Sequence, residues 1–169
     1  MRRLRWLGNV LLVALVLAVG IGLAARLSDG PIGPIAGGAL HAGPLVPNSN
    51  IDWSFAHDID TVELQLLEPP RSRTVWIAVV NGELYVPCGL PEFRLWKQWP
   101  HEVAKDDRIL LRVDDVIYER RLVRIMEGPM IDPVLRQLAE KYGLGSTLGD
   151  PNEAVQNGDV WFYEVAPRS

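Results

Sequence analysis

The sequence predicts a mainly β domain of the α+β class, flanked by two or more helices and preceded by a single N-terminal transmembrane helix. Three observations carry that expectation. Leu7 to Ala25 run for 19 residues without a charge. The rest of the chain alternates strand-period segments and hairpin turns with short helical patterns. The strongest of those hairpins is apolar on both faces, which suits a barrel or a sheet covered by helices better than a sheet with one wet face. With 169 residues, 48% apolar and 22% charged, the chain is neither a disordered polymer nor a multi-span membrane protein, and one folded domain is expected.

As a helix the apolar run reaches about 28 Å, close to the roughly 30 Å hydrocarbon core, so it crosses a bilayer once. Arg2, Arg3 and Arg5 precede it while Arg26 and Asp29 follow, and this bias places the N-terminus in the cytoplasm. The C-terminal domain is then extracytoplasmic, and periplasmic where the source is a double-membraned bacterium. A cleaved signal peptide is the competing reading, because Gly22-Leu23-Ala24 supplies small residues at a cleavage site. The run is longer than the roughly 7–15 residues of a signal core, which favours retention. Residues 1–27 are thus assigned to the anchor. Residues 28–50, with five glycines and four prolines, read as a tether, and residues 51–169 as the folded domain.

The arginines at 2, 3, 5 and 26 lie in the anchor, leaving 13 basic against all 21 acidic residues beyond it, a net of −8. Such a domain is a poor nucleic-acid binder, whose footprint is basic. One cysteine, Cys88, excludes an intrachain disulfide, a CxxC pair and a cysteine-built zinc site. Its residue type is compatible with a buried apolar position or with an exposed thiol.

Along the domain, Val62, Leu64 and Leu66 alternate with Glu63 and Gln65, a strand that Pro69-Pro70 ends. Thr74–Val80 is rich in β-branched residues. Asn81-Gly82 then signals a tight type I′ turn, with Leu84–Pro87 returning beside it. In that register Val79 faces Leu84, Ile77 faces Val86, Ala78 faces Tyr85 and Trp76 faces Pro87. Phe93, Trp96 and Trp99 recur every third residue and Pro100 interrupts, so two short helical pieces are expected between Pro91 and Lys105. Arg108–Val113 and Val116–Ile125 form a second hairpin around Asp114-Asp115. Asp132-Pro133 opens a helix whose Val134, Leu135, Leu138 and Tyr142 share a face and which Gly143 ends. Gly143-Leu144-Gly145-Ser146 reads as a helix stop and loop, and Val160–Val165 as a closing strand.

Candidate chemistry concentrates in basic residues. Arg71 and Arg73 enter one strand, Arg94 and Lys97 follow it, and Arg120 and Arg121 come later. Brought together, they would make an anion pocket to which Ser72 and Thr74 add neutral donors. Dispersed, they are solvated charges balanced by acids. Trp76, Trp96 and Trp99, with Tyr85 and Tyr118, could stack on a flat ring, although the 93–96–99 stripe equally describes a helix packing on the sheet. His41, His57 and His101 lack HxH or HExxH spacing, so no metal site is expected. Asp52, His57 and Asp58 could meet in space or simply be loop polarity, and Asp106-Asp107 and Asp114-Asp115 suit turn chemistry better than paired acid and base. No Gly-x-Ser-x-Gly motif is present to support a hydrolase.

The run from Arg73 to Val86, then Trp99-Pro100, Arg108–Val113 with Tyr118, and the closing Trp161–Arg168 resemble the pyridoxamine-phosphate-oxidase-like split β-barrels, which include flavin- and deazaflavin-dependent reductases. The resemblance covers roughly residues 60–167. It implies a split β-barrel, often a homodimer, that binds the phosphate and ring of a flavin-type cofactor, FMN or deazaflavin. Carried over by position, Arg71, Ser72, Arg73 and Thr74 match the segment that meets the cofactor phosphate, and Arg94 and Lys97 a following helix that helps. This chain has Trp76-Ile77-Ala78 where the oxidase-type pattern places a lysine. The expected function is therefore a membrane-anchored split barrel binding such a cofactor, with an oxidoreductase activity on a small molecule of unknown identity. The alternative is a cofactor-free interaction or assembly module at the membrane.

Overall fold

A computed structural model describes residues 2–94, 97–143 and 151–168. The first element, α1 (Arg2–Leu27), contains a candidate membrane span, Trp6–Leu27, with mean hydropathy 2.6. Its length and apolarity suit a membrane span and a signal sequence alike. A short strand β1 (Leu45–Val46) and a 3₁₀ turn (Trp53–Ala56) lead into β2 (Thr61–Leu67), β3 (Pro70–Trp76), β4 (Ala78–Val80) and β5 (Glu83–Gly89). Then come α2 (Trp99–Val103), β6 (Arg108–Val113), β7 (Val116–Ile125), α3 (Ile131–Tyr142), α4 (Pro151–Gln156) and β8 (Val160–Ala166).

The strands form an eight-stranded sheet in the order β3-β2-β6-β7-β8-β5-β4, antiparallel except that β1 joins β7 in parallel. The two ends of that order, β3 and β4, are consecutive in the chain and separated only by Ile77, so the sheet must curl on itself. This mainly β barrel with flanking helices is the fold class the sequence predicts. Its interior is one apolar cluster in which Leu64, Ile77, Leu84, Val86, Ile109 and Leu111 are fully buried. A second cluster packs Val134, Leu135 and Leu138 of α3 against Ala78, Tyr85 and Phe162 on the outer face.

The turn residues behave as their chemistry dictates. Asn81 and Gly82 both take positive φ, 55° and 80°, which sets the register Ala78↔Tyr85 and Val79↔Leu84. Asp114 and Asp115 adopt the same handedness at 46° and 64°, giving β6 and β7 a two-residue turn.

Three expectations need correction. Thr74–Val80 is not one strand. It changes partner at Ile77, with Trp76 paired to Thr61 of β2 and not to Pro87. The hydroxyl of Tyr142 takes over the ladder there, accepting from Ile77 N at 3.0 Å and donating to a carbonyl oxygen, Ile77 O lying at 2.9 Å. Second, α3 begins at Ile131, with Met130 as its uncapped flank, one residue before the predicted Asp132, while Gly143 ends it at φ 63° as expected. Third, of the two helical pieces expected in the 91–105 region, the described residues show α2, and the other falls partly on residues outside them; Lys97 N donates to Phe93 O there at 2.9 Å. Phe93 is exposed, and the stripe cannot be completed because Trp96 lies outside the described residues, as do Gly145 and Ser146. The short helix α4 is not among the elements predicted, although a proline stands at its first position.

The glycine- and proline-rich stretch after α1 lies along the sheet. Gly37 bridges Ser72 of β3 in both directions, at 2.9 and 3.3 Å, and Leu40 N donates to Gln65 of β2 at 2.6 Å. Arg112 of β6 reaches back to Asp29 at 3.0 Å while donating to Glu63 at 2.6 Å. At the other end, Arg168 binds Glu119 and the carbonyl of Ile109, at 3.0 and 2.7 Å.

Candidate functional site

Because β3 ends the sheet order, its far edge is paired, among the described residues, by the isolated Gly37–Ser72 bridge and by no further strand. A cavity of about 730 Å³ opens along that edge, within the size range of small-molecule sites. Across the gap stand Pro87 and Gly89 of β5 and Val160 of β8. Trp99 and Glu102 of α2 close one end, Leu135 and Leu138 of α3 form the floor, and Pro34, Ile35 and Ala36 form a further wall. The two residues that hairpin logic expects to meet, Trp76 and Pro87, are thus not paired, and both line the cavity.

The strand period accounts for two of the predicted residues that reach it. Arg71, Arg73 and Val75 oppose Leu66, Leu64 and Val62, so they share the inward face. Arg71, Arg73, Thr74 and Lys97 all line the cavity. Ser72 does not: it is fully buried on the outward face and donates to Gly38 O at 2.6 Å. Arg94 stands exposed beside Glu92 at 3.9 Å, outside the lining. Thr74 is partly engaged, donating to Gly33 O at 3.3 Å. Arg120 and Arg121 belong elsewhere. Arg120 is inside the barrel against Trp53 and Tyr118, and Arg121 is 3.7 Å from Asp107.

Charge in the cavity is unbalanced. Arg73 faces one acid, Glu102, at 3.9 Å, and its buried Nε has no hydrogen-bond partner. Burial pulls its guanidinium down to about 10, against the raising effect of Glu102. Among the described residues, neither Arg71 nor Lys97 forms an ion pair. A buried donor left unpaired costs about 1–3 kcal/mol, so an anion in this cavity would satisfy a deficit already present.

The aromatic lining is also prepared. Trp76 is 46% exposed yet held, its ring stacked on Tyr142 at 4.4 Å and 8°. Trp99 is buried beside Tyr163, with Arg73 6.0 Å from its ring. Tyr85 and Tyr118, the other aromatic candidates, lie respectively under α3 and in the barrel interior, away from the cavity. Cys88 is buried, and burial pushes its thiol up to about 11. Asp52 accepts from Ser54 N and His57 pairs with Asp58 at 2.9 Å, both exposed, so these residues act as loop polarity.

The cavity residue the sequence did not single out is Glu102, along with the whole 34–36 wall. Glu102 is one carboxylate among 21 acids with no motif around it. The wall sits in a stretch whose composition signals only turns.

No family model matches this chain, and no curated protein matches it. Among solved structures it is similar to the conserved hypothetical protein Rv2991 from Mycobacterium tuberculosis, with 15% identity, a TM-score of 0.47, and coverage of 72% of this chain and 83% of that one.

Proposed function

We propose that this protein is a membrane-anchored split-barrel domain of the pyridoxamine-phosphate-oxidase-like kind whose edge cavity binds a flavin-type cofactor, FMN or deazaflavin. The observation that carries the reading is the excess of cations in a 730 Å³ cavity, one of them with an unpartnered buried Nε, next to an open tryptophan face. Arg71, Arg73 and Lys97 would meet the phosphate. Thr74 would add a hydroxyl, and Trp76 with the apolar floor would take the ring. Such a cofactor, when bound, supplies the redox chemistry of a reductase, and the protein supplies orientation and the anion pocket. In this reading α1 crosses the membrane with its N-terminus in the cytoplasm, and the barrel is extracytoplasmic.

The test uses the full chain purified in detergent micelles, mixed with FMN and separated from the excess. Retained visible flavin absorption supports the site, and Arg73→Ala should abolish it while leaving the circular dichroism unchanged. A folded chain that retains neither FMN nor a deazaflavin favours a cofactor-free interaction or assembly module. Two observations lean that way: Ser72 is committed to Gly38, and Arg94 stands outside the cavity.

A further inference from the structure

Three residues of the cavity wall, Pro34 to Ala36, belong to the stretch that leaves α1 and not to the barrel. Their position depends on fastenings either side of them. Ile32 and Ile35 exchange backbone hydrogen bonds, both 3.0 Å, which makes the wall a tight loop. Thr74, Ser72 and Gln65 hold Gly33, Gly38 and Leu40, as described above. Upstream, Asp29 accepts from His41 N and Ala42 N, at 2.6 and 3.2 Å, and from Arg112. Arg112 also donates to Ala42 O at 3.2 Å and to Glu63, so one guanidinium ties both ends of the segment to β2 and β6. Packing inside the loop is tight as well. A Cβ on Gly37 would stand 1.8 Å from Gly30 O, and one on Gly38 2.4 Å from Arg26 O, so neither position has room for a side chain.

We propose that the segment 28–42 is a structural part of the cofactor site, with Arg112, gripping Asp29 and Glu63, as the positioning residue that seats Pro34–Ala36 against the cavity. The inference rests on the cavity being a phosphate-cofactor site. Without the segment, the edge of β3 opens to water at Ser72, and the apolar part of a ligand loses a wall. By linkage, a ligand that needs the seated segment must also hold it seated.

The experiment uses the full chain in detergent micelles, FMN as probe, fluorescence titration for affinity, and amide exchange by mass spectrometry for the segment. In the wild type, FMN should slow exchange across residues 28–42. Arg112→Gln loosens the segment from the barrel side and Gly37→Ala from within it. Both should speed exchange there, leave β6 to β8 protected, and weaken FMN about tenfold or more. Arg73→Ala should lose FMN while the segment's exchange stays as in the wild type. If the wild type binds FMN but exchange of 28–42 does not change, or if the loosened variants bind FMN with unaltered affinity, the segment is not part of the site while the cavity reading survives. Exchange unaltered by both substitutions would remove Arg112 from its positioning role. A wild-type chain that binds no FMN overturns the cavity reading and this inference together.

Discussion

Arg120 sits 1% exposed within the barrel, and among the described residues it forms no ion pair with a carboxylate. It donates to Glu119 O at 2.8 Å, its Nη2 is unpartnered, and Trp53 and Tyr118 lie 5.4 and 5.9 Å from its guanidinium carbon. Burial lowers its pKa. Two effects oppose each other here: an unmet donor costs about 1–3 kcal/mol, while contacts with aromatic faces return about 0.5–2 kcal/mol. Arg120→Met should therefore leave thermal stability unchanged or raise it, whereas Arg120→Ala, which also empties volume, should lose about 2–5 kcal/mol. A melting temperature that falls as far with Met as with Ala would show that the cation itself holds the interior together. Cys88 offers a second check at this scale. Its buried, protonated thiol should resist iodoacetamide at neutral pH in the folded chain and react promptly in guanidinium chloride.

At the scale of elements, Tyr142 links α3 to the point where β3 gives way to β4. Tyr142→Phe keeps the stack on Trp76 but leaves the N–H of fully buried Ile77 unmet, so it should cost about 1–3 kcal/mol. Urea unfolding that matches the wild type would count against this role. In the β6–β7 turn, replacing Asp114-Asp115 by Asn-Gly should gain about 1 kcal/mol, because both positions hold positive φ. These two sites also show what the sequence discloses. Asn81-Gly82, the β6–β7 hairpin, the apolar face of α3 and its Gly143 stop all follow from local chemistry, and so all were legible. The partner change at Ile77 was not, because the run 74–80 is uniformly β-forming and the switch is enforced by a tyrosine 65 positions away. For the site, strand period puts Arg71 and Arg73 on the inward face of β3, while Thr74 reaches the cavity from the other face and Lys97 from the residues before α2. Ser72 shares the outward face with Thr74 and Trp76 but is covered by the 37–38 backbone, and its hydroxyl is spent on Gly38 O.

For the whole molecule, pH should act through two groups with opposite trends. FMN affinity should rise as the phosphate loses its second proton near about pH 6, then fall as pH passes about 10, where Arg73 gives up its charge. A titration flat across that range would argue against phosphate recognition by these arginines. Asp29 has its pKa lowered, first by the amide of His41 and also by Arg112. A lowered carboxylate adds stability that is full above its ordinary pKa of about 4 and disappears as pH falls through the folded value. The protection of residues 28–42 against amide exchange, corrected for the intrinsic pH dependence of exchange, should therefore fall on acidification below about pH 4, before the sheet opens. The same fastening changes how the domain moves. A free 23-residue linker would let the barrel wander about 25 Å from its point of attachment, turning any side toward any neighbour. Pinned from Asp29 to Val46, it rides on α1 as a turret rides on its post, so under the proposed membrane placement a neighbour in the same bilayer would meet one fixed flank.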